Sequence, residues 1–447
     1  MKHINCIFIL ALSLVVTGCA LFKPYSGVRE VPDNLFGNEV VAGGEPSADM
    51  SWRQFFTDPR LQELIDTALV RNLDLSLATL RVEQAEEALK AARLGFLPSL
   101  TFTPSFTAIP GQSYALPLSL GWDNQGLGSI VNRKREAQAL ASQASDNEQY
   151  VRLRLVAAVA KAYAQAQMLD RQLEIMESTE QIWTSVYETQ KILMENGKSY
   201  STSVNQMAAA LVDVRIQRKD AENQLRQIEN SICLMLGKTP QSIVRSAWGE
   251  YSLPSSIGTG VPASILENRP DVRAAGRSVE AAYYVSRQAL GAIFPSLSLS
   301  GMFGWTTDGS AISEPAKMVY NAVVSLAQPV FARGQLRSAY KISSLQQEEA
   351  AKNYAQALIA AGNEVNNALR ACQLAEEKDS LYKEQTELLQ DAYSATRELM
   401  ANGKASYIEV LTAQDNLLKA QLGEAANLYE GCIGLIDLYT SLGGGVR

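Results

Sequence analysis

The strongest constraint on this chain is that its plan is written twice. Leu193-Met194-Glu195-Asn196-Gly197-Lys198 recurs as Leu399-Met400-Ala401-Asn402-Gly403-Lys404, about 206 residues later. The same offset pairs Tyr187 with Tyr393, Val204 with Val410, Leu211 with Leu417, Ser119-Leu120 with Ser325-Leu326, and Leu236-Gly237 with Leu442-Gly443. Nearer the start the offset is about 197: Phe96-Leu97-Pro98-Ser99-Leu100 answers Ile293-Phe294-Pro295-Ser296-Leu297, and Val82-Glu83 answers Val279-Glu280. A register held over most of each half is a duplication, and it requires any fold proposed for one half to serve the other.

Proline placement gives the first half of that fold. No Pro stands between Leu118 and Thr239, or between Val330 and the C-terminus. Average usage would put roughly six in each stretch. A helix interior excludes Pro at a cost of ~3 kcal/mol, so both stretches read as long helices. Gly is also absent from Ser129 to Asn196, which predicts about 100 Å of helix at 1.5 Å per residue. Leu153, Val156, Ala160, Tyr163, Ala166, Leu169, Leu173 and Met176 form a stripe at spacings of three and four, rich in Ala that permits close helix approach. Asn196-Gly197 and Asn402-Gly403 supply the left-handed cap that ends a helix. Each half is therefore predicted to hold a helical hairpin whose tip is an Asn-Gly-Lys turn.

Where prolines cluster, the period changes to two. Leu100, Phe102, Pro104 and Phe106 alternate with Ser99, Thr101, Thr103, Ser105 and Thr107. Alternation resumes with Tyr114, Leu116, Leu118, Leu120 and Trp122 after a turn at Pro110-Gly111. Leu297, Leu299, Phe303 and Trp305 repeat it against Ser296, Ser298 and Ser300, and a weaker strand follows Asp308-Gly309 over Asn321 to Gln328. These are strands of ~8–10 residues with aromatics near their ends, as in membrane barrels. Two surface hairpins with one face on a soluble core would give the same pattern.

The N-terminus carries a targeting signal: Lys2, an apolar run from Ile7 to Val16 too short to span a bilayer, then Val16-Thr17-Gly18-Cys19. This resembles a bacterial lipobox, which implies that Cys19 is acylated and becomes the mature N-terminus. Cys233, Cys372 and Cys432 remain, an odd number without metal-type spacing. His3, the one histidine, falls in the removed segment, so imidazole-based catalysis and the usual zinc sites are excluded, and an enzyme is not expected. A net charge of −7 argues against a nucleic-acid partner. No cofactor and no metal is expected.

A membrane sheet must close, because unpaired edges find no hydrogen bonds in lipid. Four strands cannot enclose a lumen, since the smallest single-chain barrels have eight. If these strands enter the membrane, several copies must share one barrel, and the helices, with no compact core of their own, make the same demand. Two, three or four copies are all compatible with the residues alone.

Ser51-Trp52-Arg53-Gln54-Phe55-Phe56-Thr57-Asp58-Pro59-Arg60-Leu61, followed by Leu64-Ile65, Ala68-Leu69, Asn72 and Asp74-Leu75, resembles the start of the outer membrane factor family of TolC-type exit ducts. Arg269-Pro270-Asp271-Val272-Arg273-Ala274-Ala275, Phe294-Pro295-Ser296-Leu297 and the terminal Leu442-Gly443-Gly444-Gly445 are similar as well, and with the lipobox they resemble the lipoprotein branch serving resistance-nodulation-division (RND) efflux pumps. The resemblance implies a mixed α and β membrane protein: a trimeric outer-membrane β-barrel, four strands per protomer and twelve in all, continued by a long periplasmic α-helical barrel. It implies a homotrimer held in outer-membrane lipid, with a periplasmic adaptor and an inner-membrane RND pump as partners. One departure stands out. Gly121-Trp122-Asp123-Asn124-Gln125-Gly126-Leu127-Gly128 replaces the family's Trp-Glu-Leu-Asp-like segment and Gly-Arg, which leaves the geometry of that corner open.

The expected division is a signal peptide at 1–18, a lipid-anchored linker at 19–56, a first repeat at 57–240, an equatorial linker at 241–262 and a second repeat at 263–445. Strands are expected near 98–108, 113–122, 296–305 and 320–329. Long helices are expected near 127–196, 200–237, 332–402 and 405–442.

A passive duct needs a lumen, a gate and a docking surface. The halves differ where Glu409 answers Ser203 and Asp415 answers Ala209. Glu409, Thr412 and Asp415 are three apart on one drifting helix face, and in a three-fold assembly one inward carboxylate becomes a ring of three. Related ducts carry aspartates at positions matching Glu409 and Thr412, so these three residues are the candidate constriction; ordinary solvated helix charges are the alternative. Asn196, Gly197, Lys198, Asn402, Gly403 and Lys404 are the candidate adaptor contacts at the helix tips, and capping alone would also explain them. The expected function is an efflux exit duct for drugs and toxic compounds. A type I secretion duct or stand-alone porin, and a lipid-anchored structural helical protein, are the competing classes. A copper or silver duct ranks below organic efflux, because Met residues are scattered and no Met or His cluster exists.

Overall fold

The proline-free stretches take the form of two helices of 67 residues each, α4 (Ser129–Glu195) and α7 (Gln335–Ala401). Each is followed by one of 35 residues, α5 (Ser201–Met235) and α8 (Tyr407–Ser441), so the duplication reaches to the length of every long helix. The computed structural model describes residues 22–27, 50–107, 113–124, 126, 128–249, 269–307 and 317–444. Before the first strands come α1 (Trp52–Phe55), α2 (Pro59–Arg71) and α3 (Leu73–Leu94); α6 (Pro270–Gly291) holds the place of α3 in the second half. Among the described residues no helix is long and apolar enough to cross a membrane.

The strands are β1 (Ser99–Phe102), β2 (Ser105–Thr107), β3 (Ser113–Asp123), β4 (Ser296–Thr306) and β5 (Lys317–Ala327), antiparallel in the order β1-β3-β4-β5, with β2 continuing β1 along β3. Register decides what this sheet can face. Leu100 lies opposite Leu120, Leu118 opposite Phe303, Leu116 opposite Trp305, Trp122 opposite Leu299, and Leu299 in turn opposite Val324. Phe303 meets Tyr320 and Leu297 meets Leu326. Because side chains alternate with period two, the aromatic and leucine residues fall on one face, and Ser119, Ser298, Ser300 and Ser325 fall on the other together with Met302, Val319 and Val323. The apolar face is exposed at Leu100, Phe102, Leu116, Leu118, Phe303, Trp305, Tyr320 and Val324.

Three expectations about elements change. The strand expected near 98–108 is broken at Thr103-Pro104, although both pieces keep one register on β3. Pro104 has no N–H to give, and Pro117, opposite Thr103, lacks one too; the Pro117 carbonyl accepts from Thr103 N at 3.3 Å. The strand expected near 320–329 runs from Lys317 to Ala327, because pairing with β4 continues to Thr306↔Lys317 and ends before Pro329. The linker expected to reach residue 56 stops short of it. Phe55 and Phe56 are fully buried, and Phe55 stacks on Tyr439 with centroids 4.2 Å apart.

The described chain gathers into two compact units that cut across the repeats. Residues 22–27, 78–147 and 271–358 form one unit, which contains the sheet, α6 and the opening turns of α4 and α7. Residues 50–77, 148–249, 269–270 and 359–444 form the other. Each unit takes pieces from both expected repeats, 57–240 and 263–445, because neither half buries its apolar faces alone. In the second unit Ile175, Met176 and Trp183 of α4, Leu211, Val214 and Ala221 of α5 and Leu418 of α8 make one apolar cluster. Tyr393, Val410 and Leu417 make another. Cys19, the turns at Pro110-Gly111 and Asp308-Gly309, and most of the expected equatorial linker lie outside the described residues.

Candidate functional site: the helix tips and the mouth above them

Both tips close in the same way. At the end of α4, Gly197 has φ 71°, its N–H donates to Met194 O at 2.9 Å, and Lys198 N donates to Leu193 O at 2.8 Å. At the end of α7, Gly403 has φ 68°, and the matching bonds reach Met400 O and Leu399 O at 2.9 Å each. The paired back-bonds satisfy carbonyls the helix leaves open, and the left-handed residue turns the chain into the next helix. Asn196 and Asn402 each donate Nδ2 to the carbonyl four residues back, at 2.8 and 2.9 Å. All six expected contact residues are exposed, and the backbone polar groups bonded here leave the Lys198 and Lys404 ammonium groups clear of the cap. Tyr200 and Ile192, which the sequence reading did not single out, add exposed apolar surface beside the first tip.

Past the second tip, Ser406 caps α8 and Glu409 completes a capping box. The Glu409 carboxylate accepts from Ser406 N at 2.6 Å and Ser406 Oγ at 2.8 Å. The backbone N–H holds its pKa below the ordinary carboxylate value, with the hydroxyl adding to the effect. Thr412 Oγ1 donates to Ile408 O, and Asp415 pairs with Lys419 at 2.7 Å. The structure thus does not join Glu409, Thr412 and Asp415 to one another; each polar group binds within its own helix. The capping signal was legible in the sequence as Ser-x-x-Glu, and only the gate interpretation had been drawn from it.

One residue near the tips was missed altogether. The Tyr407 hydroxyl donates to Gln206 Oε1, joining the first turn of α8 to the first turns of α5. Gln206 and Thr412 occupy matching positions of the two halves, and nothing in either half alone marks Tyr407 as a link. Below it, Glu180 of α4 receives Arg215 at 2.7 Å and Arg218 at 3.2 Å from α5, clamping the first hairpin.

Further up the same unit is a cavity of about 520 Å³, bordered by Phe56, Asp58, Tyr163, Trp248, Cys372 and Cys432. Asp58 caps α2 through Arg60 N at 2.8 Å, accepts from the Tyr163 hydroxyl at 2.6 Å and from Ser246 Oγ at 2.9 Å. Burial raises the Tyr163 phenol to about 12, with the Asp58 hydrogen bond adding to it. Burial also lifts the Cys372 thiol to about 11 and raises Cys432, so both sulfurs stay protonated at neutral pH. The three described cysteines are free. Among the described residues no group of three or more His, Cys, Asp or Glu is arranged to hold a metal ion.

The model of the family described as "Outer membrane efflux protein" matches residues 64–238 and 261–444. The chain is 27% identical over 449 residues to the cation efflux system protein CusC of Escherichia coli strain K12, covering 97% of this chain and 98% of that one. It is 26% identical over 461 residues to the antibiotic efflux pump outer membrane protein ArpC of Pseudomonas putida, covering 97% and 95%. Among solved structures, a crystal structure of CusC superposes with a TM-score of 0.85 at 25% identity, over 95% of this chain and 99% of that one. The outer-membrane channel OprN gives the same TM-score at 22% identity, over 95% and 99%.

Proposed function

This chain belongs to the outer membrane efflux protein family, a family of exit ducts rather than enzymes, and from that premise we propose how its residues form and close the duct. The protein acts as the outer-membrane exit of a tripartite efflux system, reaching from the membrane into the periplasm. A homotrimer supplies four strands per protomer to a twelve-stranded barrel. Cys19 carries the lipid anchor, and small toxic molecules arrive through a periplasmic adaptor and an inner-membrane RND pump. Cargo choice lies with the pump. Relatives named for cations and for antibiotics are matched at nearly equal identity, and the scattered Met residues favour organic cargo.

One observation carries this proposal: among the described residues, a sheet whose outermost strands β1 and β5 each pair on one side only and whose aromatic and leucine side chains all lie on one face. An open edge cannot persist in lipid, so the apolar face demands a closed ring of copies. The Ser-rich face then lines the lumen. Type I secretion would use the same sheet, and nothing in the tips or mouth favours it.

The gate is proposed at the start of α8. Glu409 contributes one carboxylate per protomer to a ring at the constriction, with Thr412 and Asp415 on the turns above, while the same carboxylate caps the helix. Single-channel recording of the purified duct tests this. Glu409→Gln is expected to reduce cation preference and weaken block by multivalent cations severalfold, since a ring of like charges concentrates cations in a narrow pore. Unchanged selectivity would move the constriction elsewhere. Tyr407→Phe tests the latch separately. Losing the bond to Gln206 is expected to raise the open fraction of the closed duct without altering ion selectivity, and equal open fractions in both proteins would remove Tyr407 from the gate.

Asn196, Gly197, Lys198, Asn402, Gly403 and Lys404 form the adaptor-docking rim. Their backbone turns are alike, so an adaptor hairpin can address both tips of each protomer by one mode.

A further inference from the structure

The cavity beside Asp58, Tyr163 and Trp248 belongs neither to the gate nor to the docking rim. Its volume of about 520 Å³ is that of a small-molecule pocket, typically ~300–1,000 Å³, and far exceeds the ~30 Å³ share of one water. Every bordering residue belongs to the second compact unit. The start of α2, one stretch each of α4, α7 and α8, and Trp248-Gly249 form its walls. Leu61, Ala160, Ala164, Leu435 and Ile436 supply aliphatic surface, while Phe56 and Trp248 supply rings. Cys372 and Cys432 add thiols that burial keeps protonated, hence uncharged. The charged side chains on the border are all acids: Asp58, Glu376 and Asp379. Among the described residues no Lys or Arg borders it.

The three acids differ in what they have left to accept. Asp58 already takes Arg60 N, the Tyr163 hydroxyl and Ser246 Oγ, so its carboxylate is occupied in holding the fold. Asp379 Oδ2 accepts from Lys383 Nζ at 2.7 Å, whereas Asp379 Oδ1 is buried and has no hydrogen-bond partner. A buried carboxylate oxygen without a donor has lost its water and gained nothing in exchange. Glu376 lies three residues before Asp379 on the same face of α7, and it makes no ion pair among the described residues. The neighbouring amides direct their donors elsewhere. Gln167 Nε2 donates to Ser246 O and Asn427 Nδ2 to Ala375 O, both at 2.9 Å. The border therefore sets an unfilled acceptor and negative charge around an apolar space.

We propose that this cavity binds an apolar organic cation, a protonated primary amine whose head donates to Asp379 Oδ1 and whose hydrocarbon body fills the space beside Phe56 and Trp248. An ammonium brings three donors and no acceptor, which matches a border short of donors. Its charge strengthens the bond to Asp379 and is favoured again by Glu376 one turn away. The Trp248 ring offers a face that attracts a cation. A neutral alcohol of the same body would make the hydrogen bond without the charge, and an anion would meet two carboxylates. A bare metal ion fits poorly, since both thiols stay protonated and, among the described residues, no group of three or more His, Cys, Asp or Glu is arranged to hold one.

Three probes with one ring system separate charge from shape: 1-naphthylmethylamine, 1-naphthalenemethanol and 1-naphthoate. Binding to the purified full chain in a neutral detergent is measured by titration calorimetry at neutral pH, with empty micelles as the blank. The amine is expected to bind about tenfold more tightly than the alcohol, the worth of one charge-assisted hydrogen bond, and the carboxylate more weakly than either. Asp379→Asn is expected to bring the amine down to the affinity of the alcohol. Ala164→Phe fills the space and is expected to abolish binding of both, with Ala164→Leu as the milder filling variant. Absence of amine binding, equal affinities for the three probes, an amine affinity unchanged in Asp379→Asn, or full binding in the filled variants would each overturn the site.

Discussion

Arg269→Ala is expected to destabilise the second unit by about 2–4 kcal/mol, the cost of an orphaned buried carbonyl plus an unfilled cavity. The Arg269 side chain is 5% exposed, yet its guanidinium reaches Ser441 O at 3.1 Å and Glu364 at 2.6 Å. Ser441 is the last residue of α8, where carbonyls have no partner within the helix. Glu364 is 57% exposed and returns to water easily, so the ion pair contributes less than the carbonyl bond and the packing. Arg269→Lys is expected to recover only part, because an ammonium cannot present two donors in the guanidinium's fixed fork. The temperature at which the detergent-resistant oligomer collapses is the measurement, since an assembly of this kind need not unfold in two states. An Arg269→Ala protein that collapses at the wild-type temperature would remove Arg269 as a structural tie.

Gly237→Ala is expected to cost about 3 kcal/mol or more, while Gly403→Ala costs about 1 kcal/mol, although both glycines end a helix in the same way. Gly237 has φ 61° and Gly403 68°, so the left-handed strain is shared. The surroundings are not. A Cβ at Gly237 would lie 2.7 Å from the carbonyl oxygen of Arg71, which is backbone and cannot swing aside; at Gly403 it would meet nothing within 4 Å. Nearby, Asn72 donates Nδ2 to Met235 O at 3.0 Å and caps α3 through Leu75 N, so a shift of that backbone would disturb two helix ends. Collapse temperatures of the two variants, measured side by side, check the difference, and equal losses would show that the αL strain alone matters.

The Arg-Pro-Asp segment and the terminal Leu-Gly-Gly-Gly were visible as separate motifs, and their meeting through Arg269 and Ser441 was not, because no periodicity links residues 172 apart. Glu409 shows the opposite case. Its carboxyl was read for what it could attract across a pore, and the Ser406 box that holds it is a local signal three residues away. Tyr407 and Gln206 left no signal at all, since a single hydrogen bond between two hairpins requires nothing of their neighbours in sequence.

What the sequence determined by itself was everything local or repeated. Proline and glycine exclusion set the long helices, period-two alternation set the strands and the face each side chain takes, and Asn-Gly-Lys set the tips; these depend on backbone sterics within a few residues. The duplication added the demand for partners, because it repeats a pattern that cannot close on itself. Only the tertiary structure decided how the halves combine. It drew two compact units across both repeats, broke the first strand at Thr103-Pro104, where Thr103 faces Pro117, and buried Phe55 and Phe56 against Tyr439. Those outcomes rest on contacts between residues far apart in the chain, where burial and register in space, not propensity, determine the free energy.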